Sequence, residues 1–140
     1  MEDLILVVNC SSSLFKATIL NSRSGDIVLS CLAAKLGQAD AYITFNRRGN
    51  RSTISLAEQP DHHGAAAELL EETRILGIER RIRAIGHRVV HGGEHYSDSV
   101  RIDDKVIAAL EACIPLAPLH NPANLTGIRA AQAAFPNLPN

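Results

Sequence analysis

The alternation of apolar and polar positions changes period along this chain, and each period predicts a different element. An unbroken apolar run over 4–8 ends at Asn9, which reads as a central strand buried on both faces. The triplet Ser11-Ser12-Ser13 separates it from a second strand over 14–20. Turn-forming residues at 21–26 lead to a third strand over 27–34. Three consecutive strands joined by short turns make an antiparallel meander. Between 35 and 58 the pattern is ambiguous: 42–45 and 52–56 read as short strands around the turn Arg47-Arg48-Gly49-Asn50.

A helical period takes over after Pro60. Asp61 is the predicted N-cap, Ala66, Leu69, Leu70 and Leu76 form the apolar stripe, and Gly77 is the stop. The β-branched stretch 84–90 then runs into Gly92-Gly93, a buried strand opening into a loop. Side chains alternate there, so Arg88 and Val90 share one face while His87, Val89 and His91 share the other. Asp103 caps a further helix with Val106, Ile107, Leu110 and Cys113 inward, ended by Pro115. Asn121-Pro122 predicts an N-cap followed by proline at the first helical position, with Leu125, Ile128, Ala131 and Phe135 toward the core until Pro136. A meander followed by helices alternating with another strand is an α/β arrangement. No internal repeat or low-complexity linker divides 1–140.

Composition narrows the partners. With 140 residues, 46% of them hydrophobic, the chain makes one domain with a sizeable core. A net charge of -1 gives no electrostatic reason to expect nucleic acid or an anionic membrane. Three cysteines at unrelated spacings predict reduced, buried thiols. The first apolar run is too short for a signal peptide, and none approaches the roughly 20 residues of a membrane helix. The expectation is a cytoplasmic protein.

Four segments carry candidate chemistry. Arg88 at a strand mouth offers a planar fork of donors for a carboxylate or phosphoryl group, and Val90 beside it suits a short apolar tail. The same residues equally suit an arginine salt-bridged at a strand end. The turn from Asn9 to Lys16 is dense in hydroxyls and N–H groups that could surround a phosphate, although the residues alone favour an ordinary serine-rich hairpin. His91-Gly92-Gly93-Glu94-His95 fits a zinc-protease pattern that works only on a helix. Two glycines at about 1 kcal/mol each relative to alanine argue against that helix, so the zinc reading is rejected. Gly92 and Gly93 instead let the backbone pass close to a ligand, and His87 and His91 hydrogen-bond within the fold. Ala117-Pro118-Leu119-His120-Asn121-Pro122 is a rigid turn into a helix whose N-terminus favours an anion, with His120 as donor and Leu119 as apolar wall. Arg80, Arg81 and Arg83 read as solvated surface.

Gly86-His87-Arg88-Val89-Val90-His91-Gly92-Gly93-Glu94, followed by Ala117-Pro118-Leu119-His120-Asn121-Pro122, resembles the N-terminal part of the acetate kinase family, which includes the propionate kinases. The resemblance runs from about Leu4 to Asn140. It implies the N-terminal half of a sugar-kinase, Hsp70 and actin-type (ribonuclease H-like) α/β fold, a β-meander followed by alternating helices and strands. It implies phosphoryl transfer from ATP, with Mg2+, to acetate or propionate, giving an acyl phosphate. Arg88 would then be catalytic and substrate-binding, with Val90, Leu119 and His120 at the acyl group. Asn9 would sit near the magnesium, and Lys16, Ser12 and Ser13 near the nucleotide phosphates.

The family opens with Asn, any residue, Gly, three Ser, Leu and Lys. Without gaps, Lys16 falls on the family lysine and Ser11 on the glycine. A second register aligns Ser11-Ser12-Ser13-Leu14 with the serine-leucine run and inserts one residue before Lys16. Both lack the glycine, and with it free access to positive φ and to close backbone approach. The catalytic aspartate and adenosine-binding half of the family fall beyond Asn140. The expectation is therefore that 1–140 alone is not a competent kinase, that a bare sheet edge follows the last strand, and that a homo-oligomer or complementing C-terminal half is the partner. The alternative is a non-catalytic carboxylate-binding or assembly fragment of a truncated or split kinase; a metal hydrolase is remote.

Overall fold

Alternation, rather than continuous burial, governs the first strand. In the computed structural model, which describes residues 2–89, 92, 98–118 and 120–140, β1 (Leu4–Cys10) buries Leu4, Leu6, Val8 and Cys10 and leaves Val7 38% exposed. The expected burial on both faces is corrected: the described helices all pack on one face of the sheet, so the outward positions of β1 stay uncovered. The meander itself forms as expected and runs on to five strands: β2 (Phe15–Asn21), β3 (Ile27–Ala34), β4 (Tyr42–Arg47) and β5 (Asn50–Ser55) follow as antiparallel neighbours. Arg48 and Gly49, at φ 50° and 84°, make the tight turn between β4 and β5, where positive φ at both central residues matches the strand twist.

α1 (His62–Ile75) starts where the sequence placed it, with the Asp61 side chain accepting from Gly64 N at 2.8 Å. It stops before Gly77, whose φ of 70° needs no Cβ. The chain then crosses to β6 (Ile82–His87), which pairs parallel to β1 with Leu6 opposite Ile85 and Val8 opposite His87. The sheet order is β5-β4-β3-β2-β1-β6. Asp103 caps α2 (Asp104–Ala112) by accepting from Val106 N at 2.9 Å.

One cap differs. In α3 (Asn121–Ala134) the N-cap position is His120, with no side-chain cap bond. Asn121 lies inside the helix, fully buried, and its Nδ2 donates to Leu110 O at 3.4 Å. This bond to a carbonyl near the end of α2 ties the two helices together.

α1 and α3 cover the inner face around Phe15, Phe45, Leu69 and Ile19, each side chain worth about 1.5–3 kcal/mol on full burial. α2 packs on α3 through Val106, Leu110, Leu125 and Ile128, with Val89 against them. The outer edge of β6 is not wholly bare, because Ile85 N donates to Pro139 O at 2.9 Å. No described helix is long and apolar enough to cross a membrane.

Candidate functional site

The chain leaves β1 in two directions across the sheet, with β2 to β5 on one side and β6 on the other. At such a switch point the crevice outside the carboxyl ends of the parallel strands is where open α/β sheets bind ligands. Three of the sequence-selected polar residues meet there. Asn9 and Lys16 stand directly opposite each other across β1 and β2, both exposed, as partners on one face of an antiparallel pair. Arg88 follows β6 by one residue, exposed, and its N–H donates to Val8 O at 3.0 Å. That bond carries the parallel register one step past His87 and sets Arg88 beside Asn9. Ile85 and His87 point inward, so alternation turns Arg88 outward. Arg88, Asn9 and Lys16 thus form a row across β6, β1 and β2 on the open face.

The electrostatics of this end favour an anion. Lys35, Arg74 and Arg83 each pair with a carboxylate, at 2.9, 3.2 and 3.1 Å. Lys16 and Arg88 have no such partner among the described residues, so the salt-bridge reading of Arg88 finds no support there. Two helix N-termini approach the same end from the inner side. The first residue of α1, His62, puts Nε2 2.7 Å from Ser11 O, and Asn124, in the first turn of α3, donates from Nδ2 to Cys10 O at 3.0 Å. Each N-terminus adds partial positive charge. His120, one helical turn before Asn124, is exposed.

The turn between β1 and β2 closes with Ser11 N donating to Leu14 O at 3.0 Å and leaves Ser12 and Ser13 exposed. Its missing glycine is less costly than the sequence suggested. Among the described residues, Lys35 and Arg48 are the non-glycine positions with positive φ, so Ser11 occupies no backbone region that requires glycine. Asn9, Ser12 and Ser13 are hard oxygen donors of the kind magnesium takes together with water and phosphate oxygens. Among the described residues no cluster of three His, Cys, Asp or Glu could hold a metal by itself.

Other expectations fall elsewhere. Val90 and Leu119 lie outside the described residues, as do His91, Glu94 and His95. His87 faces inward, where its Nε2 lies 2.7 Å from Asn140 Oδ1 and burial lowers its pKa from 6.5. A cavity of about 360 Å³ beside it, lined by His87, Val89, Val106, Leu110 and Asn140, opens on the inner side and does not include Arg88, Asn9 or Lys16. Cys10, Cys31 and Cys113 are buried free thiols. Burial pushes Cys10 and Cys31 up to about 12, which removes thiolate chemistry near neutral pH. Sequence reasoning missed His62 and Asn124. Asn124 had a faint signal, a polar residue next to the apolar stripe of α3; a lone histidine after an N-cap had none.

Comparison with known proteins adds the following. The family model described as "Acetokinase family" matches residues 4–140. Acetate kinase 1 of Neisseria meningitidis serogroup B is 56% identical over 139 residues, covering 99% of this chain and 35% of that protein. The acetate kinase of Chromobacterium violaceum is 47% identical over the same length, with the same coverage. Among solved structures, Porphyromonas gingivalis acetate kinase superposes with a TM-score of 0.90 at 36% identity, covering 98% of this chain and 36% of that one. A propionate kinase from Francisella tularensis gives 0.88 at 36% identity, covering 98% and 35%. The chain spans about a third of the length of these relatives.

Proposed function

The chain belongs to the acetokinase family, and from that membership we propose that its outward row of Arg88, Asn9 and Lys16 serves phosphoryl transfer from ATP to acetate or propionate. Its α/β architecture is the N-terminal part of the actin-type fold that the acetate and propionate kinase structures share. The observation that carries the functional reading is the row itself: two cations without carboxylate partners among the described residues flank a neutral oxygen donor at the carboxyl ends of β1 and β6.

In this reading Arg88 grips the carboxylate with its planar fork and holds one oxygen toward the phosphorus. Lys16, two strands away and so roughly 9–10 Å along the sheet, draws in the nucleotide phosphates together with Ser12 and Ser13. A carboxylate and a phosphoryl group fit side by side over that span. The carboxylate oxygen forms the new bond to phosphorus as the bond to the ADP oxygen breaks, so the row supplies positioning and charge rather than covalent chemistry. Asn9 would help hold the Mg2+ through its side-chain oxygen, and that ion would supply positive charge to offset the charge on the phosphate oxygens. Val90, Leu119 and His120 border the acyl group. One methylene shifts binding by roughly 1–3 kcal/mol, so the acyl acid in this reading is a short carboxylate, acetate or propionate. The catalytic aspartate and the adenosine site come from outside 1–140, on the rest of the kinase or on a complementing chain.

The test is calorimetric titration of acetate and propionate into the wild type and Arg88→Ala. A charged hydrogen-bond partner is worth about 1.5–3 kcal/mol, which predicts a loss of about tenfold or more. Equal affinity in the variant contradicts the assignment.

A further inference from the structure

The chain between β1 and β2 is held by its carbonyls. Cys10 O accepts from Asn124 Nδ2 at 3.0 Å, Ser11 O lies 2.7 Å from His62 Nε2, and Ser13 O accepts from Leu36 N at 3.1 Å. The three holding groups come from α3, from α1 and from the segment after β3. His62 is only 8% exposed, and its ring reaches the turn from the first residue of α1. In a trans peptide the C=O and the following N–H point in opposite directions, and the described chain has no cis bond. Fixing the Ser11 carbonyl on the inner side, where α1 lies, therefore turns the Ser12 N–H to the open side, next to the exposed Ser12 and Ser13 side chains and the Asn9–Lys16 pair.

We propose that His62 is a positioning residue: its Nε2–H, donating to Ser11 O, holds the Ser12 N–H in the direction that receives the nucleotide phosphates. This rests on the reading of the Asn9 to Lys16 turn as the phosphate site. The arrangement does what a glycine-rich phosphate loop does by backbone freedom, using a side-chain clamp instead. It accounts for a turn that keeps its shape with serine in place of glycine. Asn124 acts one residue earlier and fixes the exit of β1. His62 touches no ligand in this scheme, so its effect is on phosphate affinity and not on the carboxylate held by Arg88.

Two variants separate this from general packing. His62→Gln keeps an amide N–H at nearly the reach of Nε2, and His62→Leu fills the space without a donor. Amide hydrogen exchange at Ser11, whose N–H closes the turn on Leu14 O, read by NMR, is expected to speed up in His62→Leu and to stay near wild type in His62→Gln. MgATP titrated into the same samples is expected to bind about tenfold more weakly to the leucine variant, as for a lost hydrogen bond, with acetate affinity unchanged and the glutamine variant restored. Unchanged exchange at Ser11 in His62→Leu overturns the clamp, whether or not MgATP binds. Equal weakening of MgATP and acetate in both variants, with a lowered melting temperature, also overturns it and leaves a packing role. Wild-type protein that shows no MgATP response at residues 9–16 defeats the phosphate-site reading, while the exchange data still decide the clamp.

Discussion

His87 and Arg88 are neighbours in sequence that face opposite sides of the sheet, and their chemistry diverges accordingly. His87 is half-buried beside Asn140 with its pKa lowered below 6.5. Above that value it is neutral in both folded and unfolded chains, and its full contribution is present. As the pH falls below 6.5 the unfolded chain takes up the proton first, so stability drops progressively until the folded pKa is passed. Melting temperatures measured from about pH 8 to about pH 5 should therefore fall more steeply for the wild type than for His87→Gln; parallel curves contradict the account. Lys16→Ala should weaken MgATP by about tenfold and leave acetate binding intact, a split that calorimetry reads directly. Alternation made the opposite facing of His87 and Arg88 legible in the sequence. The pairing of Asn9 with Lys16 was not, because it depends on the length of a turn whose register had two solutions.

Capping signals translated into structure wherever a side chain had a local partner. Asp61 and Asp103 both cap as expected, and Asp61→Ala should cost about 1 kcal/mol, read as a lower melting temperature. Asn121 broke the pattern because its partner, Leu110 O, belongs to another helix, which no local reading could see. The same holds where α3 meets β1. A Cβ on Gly127 would come within 2.6 Å of Cys10 Sγ, so this glycine exists for close approach. Gly127→Ala should destabilise by about 1–3 kcal/mol, and adding Cys10→Ala should recover part of the loss by clearing the sulfur. An unchanged denaturation midpoint in the single variant contradicts that packing. β6 begins two residues before and ends three before the expected 84–90, since pairing with β1 rather than local composition sets its length.

At the scale of the whole molecule, the meander, the capped helices and the parallel β6 were legible, because hydrophobic period and turn chemistry agree along the chain. The uncovered outer face was not: the apolar run at 4–8 looks the same whether one face or both are covered, and only the placement of all described helices on one side decides it. That open face carries the proposed site. Phosphoryl transfer also needs the catalytic aspartate and adenosine site, which the family resemblance places outside 1–140. Purified residues 1–140 with ATP, magnesium and acetate should thus form no acyl phosphate in a coupled assay. Clear turnover, abolished by Arg88→Ala, would show instead that these residues are an enzyme by themselves.

The central claim is that one end of the sheet receives both a carboxylate and the nucleotide phosphates. Backbone NMR of the uniformly labelled chain, titrated first with acetate and then with MgATP, tests it most directly. The account predicts that acetate shifts resonances at and around Arg88, that MgATP shifts those from Asn9 to Lys16, and that the two sets adjoin across β1. Shifts centred instead on the inner cavity beside His87, or no shifts at either segment, would contradict it.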